Sequence, residues 1–227
     1  MNPGAKFIVV DGPDGCGKGT LLARLEPEIA AAGGQCVRAK DPGGTPIGDR
    51  IRHLLLGYDL SQMDPRCETL LFMASRAQLV AEVIRPALAV GKTVLCDRFI
   101  SATCAYQVAA GFPRDEVIQL GRLAVGQTWP DLTIVLDVSP EVGFARTGRT
   151  PQQARRRRAA NGGQVAMFED ASADAMESRP LAFHRQVAAI FRELPTFYPT
   201  PVVVIDASRD AESVFRDAKE ALRRAFG

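Results

Sequence analysis

Short runs of consecutive apolar residues, most of them β-branched, recur at Phe7–Val10, Thr93–Cys96, Leu132–Leu136 and Val202–Ile205, with a weaker run at Cys36–Val37. Runs of this length without polar alternation mark strands buried on both faces, as in a parallel sheet. Between them the apolar positions change to helical spacing. Leu21, Leu22, Leu25 and Ile29 share one face, as do Val214, Ala218, Ala221 and Leu222 near the C-terminus. Strand alternating with helix predicts an α/β fold, a doubly wound parallel sheet of five strands flanked by helices. The length of 227 residues suits one such domain, 1–227. One stretch departs from the pattern: Arg146–Asp170 carries Arg149, Arg155, Arg156, Arg157, Arg158 and Gly162-Gly163, with almost no large apolar side chain before Val165. That composition predicts a solvated, mobile lid over about 146–170.

Ligands of doubly wound sheets bind where the strands end, so the residues after each apolar run are the candidates for chemistry. Asp11 and a glycine loop follow the first run, and Lys40-Asp41-Pro42-Gly43-Gly44-Thr45 the weak one. Asp97-Arg98-Phe99 and Asp137 follow the next two. The loop, Gly12-Pro13-Asp14-Gly15-Cys16-Gly17-Lys18-Gly19-Thr20, leaves a strand and opens a helix. This is the setting of a phosphate-binding P-loop. Glycines let successive backbone N–H groups turn inward around phosphates, the helix N-terminus adds partial positive charge, and Lys18 reaches the outer phosphate oxygens. A tight strand-to-helix turn with no ligand is the plain alternative, but Gly-x-x-x-x-Gly-Lys at this place is a specific signal. Gly12, Gly15, Cys16, Gly17, Lys18, Gly19 and Thr20 are therefore the candidate ATP-binding residues. Gly19 stands where the motif usually has Ser or Thr, so a hydroxyl for Mg²⁺ must come from Thr20 or from water.

Composition narrows the partners. A net charge of +2 and a pI near 8.3 argue against a general nucleic-acid binder and leave room for a local basic patch. Arg155–Arg158 read as a solvated run, as lid groups closing over ATP, or as a nucleic-acid contact. The run from Phe7 stops at Asp11, too short for a signal sequence or a membrane span, which predicts a cytoplasmic protein. The five cysteines, Cys16, Cys36, Cys67, Cys96 and Cys104, form no CxxC pair, and the expectation is reduced thiols, four of them simply buried. Cys16, beside Lys18 at a helix N-terminus, is expected to favour its thiolate, so that oxidation or alkylation there would inactivate the protein.

Taken in order, several segments resemble the thymidylate kinase family of P-loop nucleoside monophosphate kinases. They are Phe7–Gly15, Asp41-Pro42-Gly43-Gly44-Thr45, Glu68-Thr69-Leu70-Leu71-Phe72 running into Arg76-Ala77-Gln78, Asp97-Arg98-Phe99, Ala105-Tyr106-Gln107, Pro130–Thr133, and Leu136-Asp137-Val138 with Pro140–Gly143. The resemblance implies transfer of the γ-phosphoryl group of ATP to a deoxynucleoside monophosphate, dTMP, giving dTDP and ADP for dTTP synthesis. It implies Mg²⁺ with the ATP, and a homodimer, for which the helical stretch Glu68–Val90 is the candidate surface. Carried over, it has Phe72 stacking on the pyrimidine and Arg76 donating to a base carbonyl. Their spacing of four agrees, placing both on one helix face; Phe72 as core and Arg76 as a solvated charge is the alternative.

By the same resemblance Arg98 binds the acceptor phosphate with Arg52 as partner, and Asp14 accepts from the sugar 3′-hydroxyl. Asp97 holds Mg²⁺, unless it is only a helix cap. Tyr106 lies against the sugar where a 2′-hydroxyl would sit, while Thr103 and Gln107 border the base. Phosphoryl transfer also needs positive charge on the transferring group. One subtype of the family takes it from an arginine after the loop aspartate, but Gly15 occupies that place, so the lid must supply it and Arg149 is the best match. The catalytic set is then Lys18, Asp14, Arg98 and Arg149, with Asp97 and Thr20 for the metal. The chain departs from the family at Lys40 (usually Arg), Ser75 (usually acidic), Phe99 (usually Tyr) and Met167 (usually Arg) before Phe168-Glu169. These departures keep open another or modified deoxypyrimidine monophosphate as acceptor, and Gly19 keeps open a non-catalytic nucleotide-binding regulator.

Overall fold

The structure, a computed structural model, describes residues 4–58, 63–148 and 179–227. Its centre is a sheet of five parallel strands: β1 (Phe7–Asp11), β2 (Cys36–Lys40), β3 (Thr93–Asp97), β4 (Leu132–Asp137) and β5 (Val202–Asp206), in the order β2-β3-β1-β4-β5. The helices are α1 (Lys18–Ala31), α2 (Pro46–Gly57), α3 (Pro65–Leu79), α4 (Arg85–Ala89), α5 (Ile100–Ala109), α6 (Arg114–Val125), α7 (Pro140–Arg146), α8 (Leu181–Phe197) and α9 (Ala211–Phe226). A π-helical turn, Val80–Ile84, carries α3 into α4 without a break, so the expected helical stretch 68–90 is present.

Each inner strand buries both faces, and successive residues go to opposite sides of the sheet. Phe7 and Val9 of β1, with Val94 and Cys96 of β3, join a core under α2–α6 and α8. Ile8 and Val10, with Leu95 and with Leu132, Ile134 and Leu136 of β4, join a second core under α1 and α9. The predicted helical faces fit this second core: Leu21, Leu22, Leu25, Ile29, Val214, Ala218 and Leu222 are all buried there. Several helix starts carry a side-chain cap. Thr45 Oγ1 accepts from Gly48 N at 3.0 Å, Asp64 Oδ1 from Arg66 N at 2.8 Å and Asp210 Oδ1 from Ser213 N at 2.9 Å. Among the described residues, no helix is long and apolar enough to cross a membrane. The cysteines depart from expectation: Cys16, Cys96 and Cys104 are buried, but Cys36 is only half-buried on the edge strand β2 and Cys67 is exposed on α3.

The sheet delivers its functional residues through register. Val10 pairs with Asp97 across β1 and β3, and Lys40 pairs with Asp97 across β2 and β3. The pattern extends one step past the strands, with Arg98 N donating to Val10 O at 3.1 Å and Asp41 N to Asp97 O at 3.0 Å. Three strand ends are thereby held level. The glycine loop is located from the other side by contact with α7, where a Cβ on Gly15 would run into the Gly143 carbonyl and one on Gly143 into the Asp14 carbonyl. Gly143→Ala should therefore push the loop off α7 and lower the unfolding free energy by about 1–3 kcal/mol. Urea denaturation, with ATP affinity measured in parallel, checks this; unchanged values for both would show that the contact positions nothing.

Candidate functional site

Helix α1 begins at Lys18, and Gly17 before it has φ 98°, a left-handed conformation that only glycine adopts at low cost. The turn folds Lys18 back over the loop, so that its Nζ donates to Gly12 O at 3.2 Å and Pro13 O at 3.1 Å. Asp11 lies at the root of the loop, fully buried, accepting from Gly12 N at 2.8 Å and from Ser101 Oγ at 2.6 Å. Burial pushes the Asp11 carboxyl up, opposed chiefly by the Arg98 charge.

Arg98 is the only described non-glycine residue with positive φ, 66°. Its guanidinium reaches across the strand ends, with Nη1 3.2 Å from Asp11 Oδ1 and 3.1 Å from Gly12 O, and Nη2 2.5 Å from Asp14 Oδ1. Tyr106 closes the group. Its hydroxyl accepts from Arg98 Nη2 at 3.3 Å and donates to Asp14 Oδ2 at 3.2 Å. Burial opposes the Arg98 charge, but the Tyr106 oxygen and the three carboxylates of Asp14, Asp11 and Asp97 outweigh it and hold the guanidinium well above its ordinary range. Burial likewise keeps the Tyr106 phenol protonated far above its usual range, as its donation to Asp14 requires.

These groups form one wall of an open cleft. Asp14, Lys18, Arg52, Phe72, Asp97, Arg98, Thr103, Tyr106 and Gln107 all line it, with Lys40, Asp41, Pro42, Leu56 and Ala102. Nearly the whole acceptor set expected from sequence is thus brought to one place. Arg52 Nη1 is anchored to Pro42 O at 3.0 Å. Asp97 contributes a buried Oδ1 with no hydrogen-bond partner among the described residues, which suits a ligand or a cation better than a helix cap.

Arg76 is the exception. It is 1 % exposed, which removes the solvated-charge alternative, yet it is not on the cleft wall. Its Nε donates to Asp41 Oδ2 at 2.7 Å, and its Nη2 to Phe99 O at 3.0 Å and Thr103 Oγ1 at 3.2 Å. It stands one layer back, behind Thr103. Burial pushes the Asp41 carboxyl up, and Arg76 pulls it only part of the way back.

A second cleft lies on the other side of the loop, lined by Gly15, Cys16, Gly17 and Thr20 together with Arg24, Arg146, Thr147, Ala207 and Arg209. Arg146 bridges it, with Nη1 donating to Ala207 O at 2.8 Å. Thr20 is here, exposed, whereas Asp97 lines the first cleft, so the two residues expected to share a metal are not brought into one cleft. A Cβ added at Gly19 meets nothing; the missing hydroxyl is not imposed by crowding. Arg149, Arg155–Arg158, Met167 and Phe168-Glu169 lie outside the described residues, and with them most of the expected lid.

Sequence reasoning missed Asp41 as the partner of Arg76, the role of Asp11 in holding Arg98, and the placement of Arg24, Arg146 and Arg209 along the second cleft. An aspartate ending a buried strand was the one available signal. It misjudged Cys16. Lys18 does come near, with Nζ 3.7 Å from Sγ, but Cys16 is 3 % exposed and burial pushes its thiol up in spite of Lys18. The thiolate is disfavoured there.

Two outcomes follow from this geometry. Iodoacetamide at neutral pH should modify Cys67 first and leave Cys16 protected; mass spectrometry showing equal rates at both would contradict the burial argument. Arg76→Met strands Asp41 as a buried charge without its partner and should cost about 3–5 kcal/mol of unfolding free energy by chemical denaturation.

Comparison with known proteins agrees with this geometry. The profile of the family described as Thymidylate kinase matches residues 10–218. A thymidylate kinase of Desulfosudis oleivorans is 41 % identical over 96 % of this chain and 96 % of its own. One of Exiguobacterium sp. is 40 % identical over 92 % of this chain and 89 % of its own, and one of Deinococcus radiodurans 39 % identical over 92 % and 91 %. With a P-loop on β1, a cationic and aromatic cleft on one side of it and a second cleft on the other, the chain belongs to the thymidylate kinase family.

Proposed function

We propose that this chain transfers the γ-phosphoryl group of ATP to dTMP, giving dTDP and ADP for dTTP synthesis. The observation that carries the reading is the placement of two clefts back to back across one phosphate-binding loop, the first holding Phe72, Arg98 and Tyr106, the second Thr20 and Arg146. Direct transfer between two nucleotides needs donor and acceptor phosphates to meet end to end, and one loop gives Asp14 and Lys18 to the first cleft and Gly15, Cys16, Gly17 and Thr20 to the second.

Backbone N–H groups of Gly15–Thr20 and the start of α1 bind the donor phosphates. Lys18 exchanges its two loop carbonyls for phosphate oxygens, an exchange its flexible stem allows. Arg98 presents its guanidinium to the acceptor phosphate, already fixed by Asp11 and Asp14 so that little reorganisation remains. Arg52 supports it from α2. Phe72 offers an apolar face to the base, Tyr106 fills the space beside the sugar C2′, and Asp14, at the cleft wall and held by Arg98 and Tyr106, faces the 3′-hydroxyl. Arg149, which lies outside the described residues, is the residue assigned to place positive charge on the transferring group.

The donor set fits Mg²⁺ held mainly by phosphates and water. Asp97, with its unpartnered Oδ1, is the residue to hold it, Asp14 is its neighbour, and Thr20 serves only on the donor side. Held there, Mg²⁺ would offset negative charge on the phosphate oxygens. The reading extends to a cytoplasmic homodimer. Leu70, 54 % exposed on α3, and Leu54, 57 % exposed on the adjoining α2, support the pairing of two copies.

A coupled ADP-release assay across the nucleoside monophosphates should give its highest kcat/KM with dTMP. Lys18→Ala should lower that value about 100- to 1,000-fold. ADP release indifferent to the acceptor, or full turnover by the Lys18→Ala variant, would falsify the proposal.

A further inference from the structure

The turn that delivers Arg98 consists of Arg98 and Phe99, since β3 ends at Asp97 and α5 begins at Ile100. Its sequence offers little to hold it. Phe99 stands at the N-cap of α5 with no side-chain cap, and Arg98 before it has the positive φ that glycine or asparagine usually takes. A backbone conformation of this kind persists only where its surroundings over-determine it. Three bonds from outside the turn do so. Arg98 N donates to Val10 O at 3.1 Å, Arg76 Nη2 donates to Phe99 O at 3.0 Å, and Cys96 Sγ donates to Arg98 O at 3.1 Å.

The thiol is the one of the three that nothing else in the site accounts for. Cys96 is fully buried, in the core that also takes Val94 of the same strand, and it lines neither cleft. For packing there, any small apolar side chain would serve; only the carbonyl needs a donor. Shut off from water, the thiol keeps its proton and has one hydrogen to give. With Arg98 N held by Val10 on one side of the Cα and Arg98 O by Cys96 on the other, φ and ψ are both fixed, and with them the direction of the side chain. Released at the carbonyl, the residue can relax toward negative φ. That turns the guanidinium away from Asp11 and Asp14, and from an acceptor phosphate in the cleft.

We propose that Cys96 is a positioning residue for the acceptor phosphate: its thiol holds the Arg98 carbonyl and so keeps the guanidinium aimed across the strand ends. The inference rests on Arg98 being the acceptor-phosphate ligand. Cys96 itself touches no substrate. The nucleoside part of the acceptor meets Phe72 and Tyr106, whose helices the thiol does not hold, so loss of the bond weakens the grip on the phosphate alone.

The test measures calorimetric Kd for dTMP and for thymidine, whose ratio reports the phosphate, together with KM for ATP, in wild type, Cys96→Ser, Cys96→Ala and Cys96→Val. Wild type should bind dTMP about 100-fold more tightly than thymidine, the order expected of charged hydrogen bonds to a phosphate. In Cys96→Ala and Cys96→Val this advantage should fall about tenfold, as a misaimed contact group loses, with the thymidine Kd and KM for ATP unchanged. Cys96→Ser matches Cys96→Ala in size and restores one donor, so its ratio should stay close to that of wild type. In an Arg98→Gly background, where the left-handed turn is easy and the guanidinium gone, Cys96→Ala should lower the ratio no further. Should Cys96→Ala not fold, the pair Cys96→Ser and Cys96→Val decides, the first keeping the ratio and the second losing it. Equal ratios in Cys96→Ser and Cys96→Ala, or a wild-type ratio in Cys96→Val, would show that the thiol only fills space and overturn the inference alone. Wild type binding dTMP no more tightly than thymidine would overturn the acceptor reading of Arg98, and this inference with it.

Discussion

Everything at the site depends on one guanidinium held among three strand and loop ends. Arg98 takes a left-handed backbone that a non-glycine side chain adopts only at a cost of roughly 1–3 kcal/mol. What it gains is reach. From φ 66° its side chain turns back across β1 and meets Asp11, the Gly12 carbonyl and Asp14 at once. The carboxylates offset the burial of its charge, and the charge in turn makes a fully buried Asp11 tolerable. Neither side of this arrangement is stable without the other, which is why the phosphate loop and the acceptor cleft are located by the same bonds.

That arrangement explains how a loop rich in glycine can be positioned. From one side the Arg98 guanidinium and the Asp11 carboxylate tie it to the strand ends. From the other, Gly143 of α7 comes so close to Asp14 and Gly15 that no side chain fits between them. The loop is clamped in its middle, and Lys18 remains bonded to loop carbonyls, with Cys16 Sγ beside it, that a phosphate can replace. Rigid backbone and an exchangeable cation are what a phosphate site requires.

The departures from the family become intelligible in the fold. Ser75, where an acid is usual, is fully buried and accepts from Gly43 N at 3.1 Å, fastening the turn after β2. Phe99, where Tyr is usual, lies edge-on to Phe7 with centroids 5.0 Å apart and under the Arg76 guanidinium at 5.3 Å. Both changes are absorbed behind the cleft wall. Lys40 does line the cleft, so of the described departures it is the one that changes what a ligand meets, exchanging a fork of donors for a compact charge.

The amino-acid sequence alone determined the architecture and the address of the site. Apolar runs buried on both faces leave a parallel sheet as their only economical arrangement, and ligand-facing residues then fall at strand ends. Even the weak run at Cys36–Val37 proved to be a strand, less apolar because β2 is an edge and buries only part of itself. Three matters were decided by tertiary structure. Burial overruled local charge at Cys16, since the environment of a thiol depends on what packs over it and not on the neighbouring lysine alone. Asp41 met Arg76 across 35 positions, and Glu68 met Gln107 across 39 and Arg179 across 111. Helical spacing could place Arg76 on the same helix as Phe72, but only the fold decided that one faces the cleft and the other a buried carboxylate. Partners so distant along the chain leave no periodicity to read; their pairing exists only once the sheet has set its strand order.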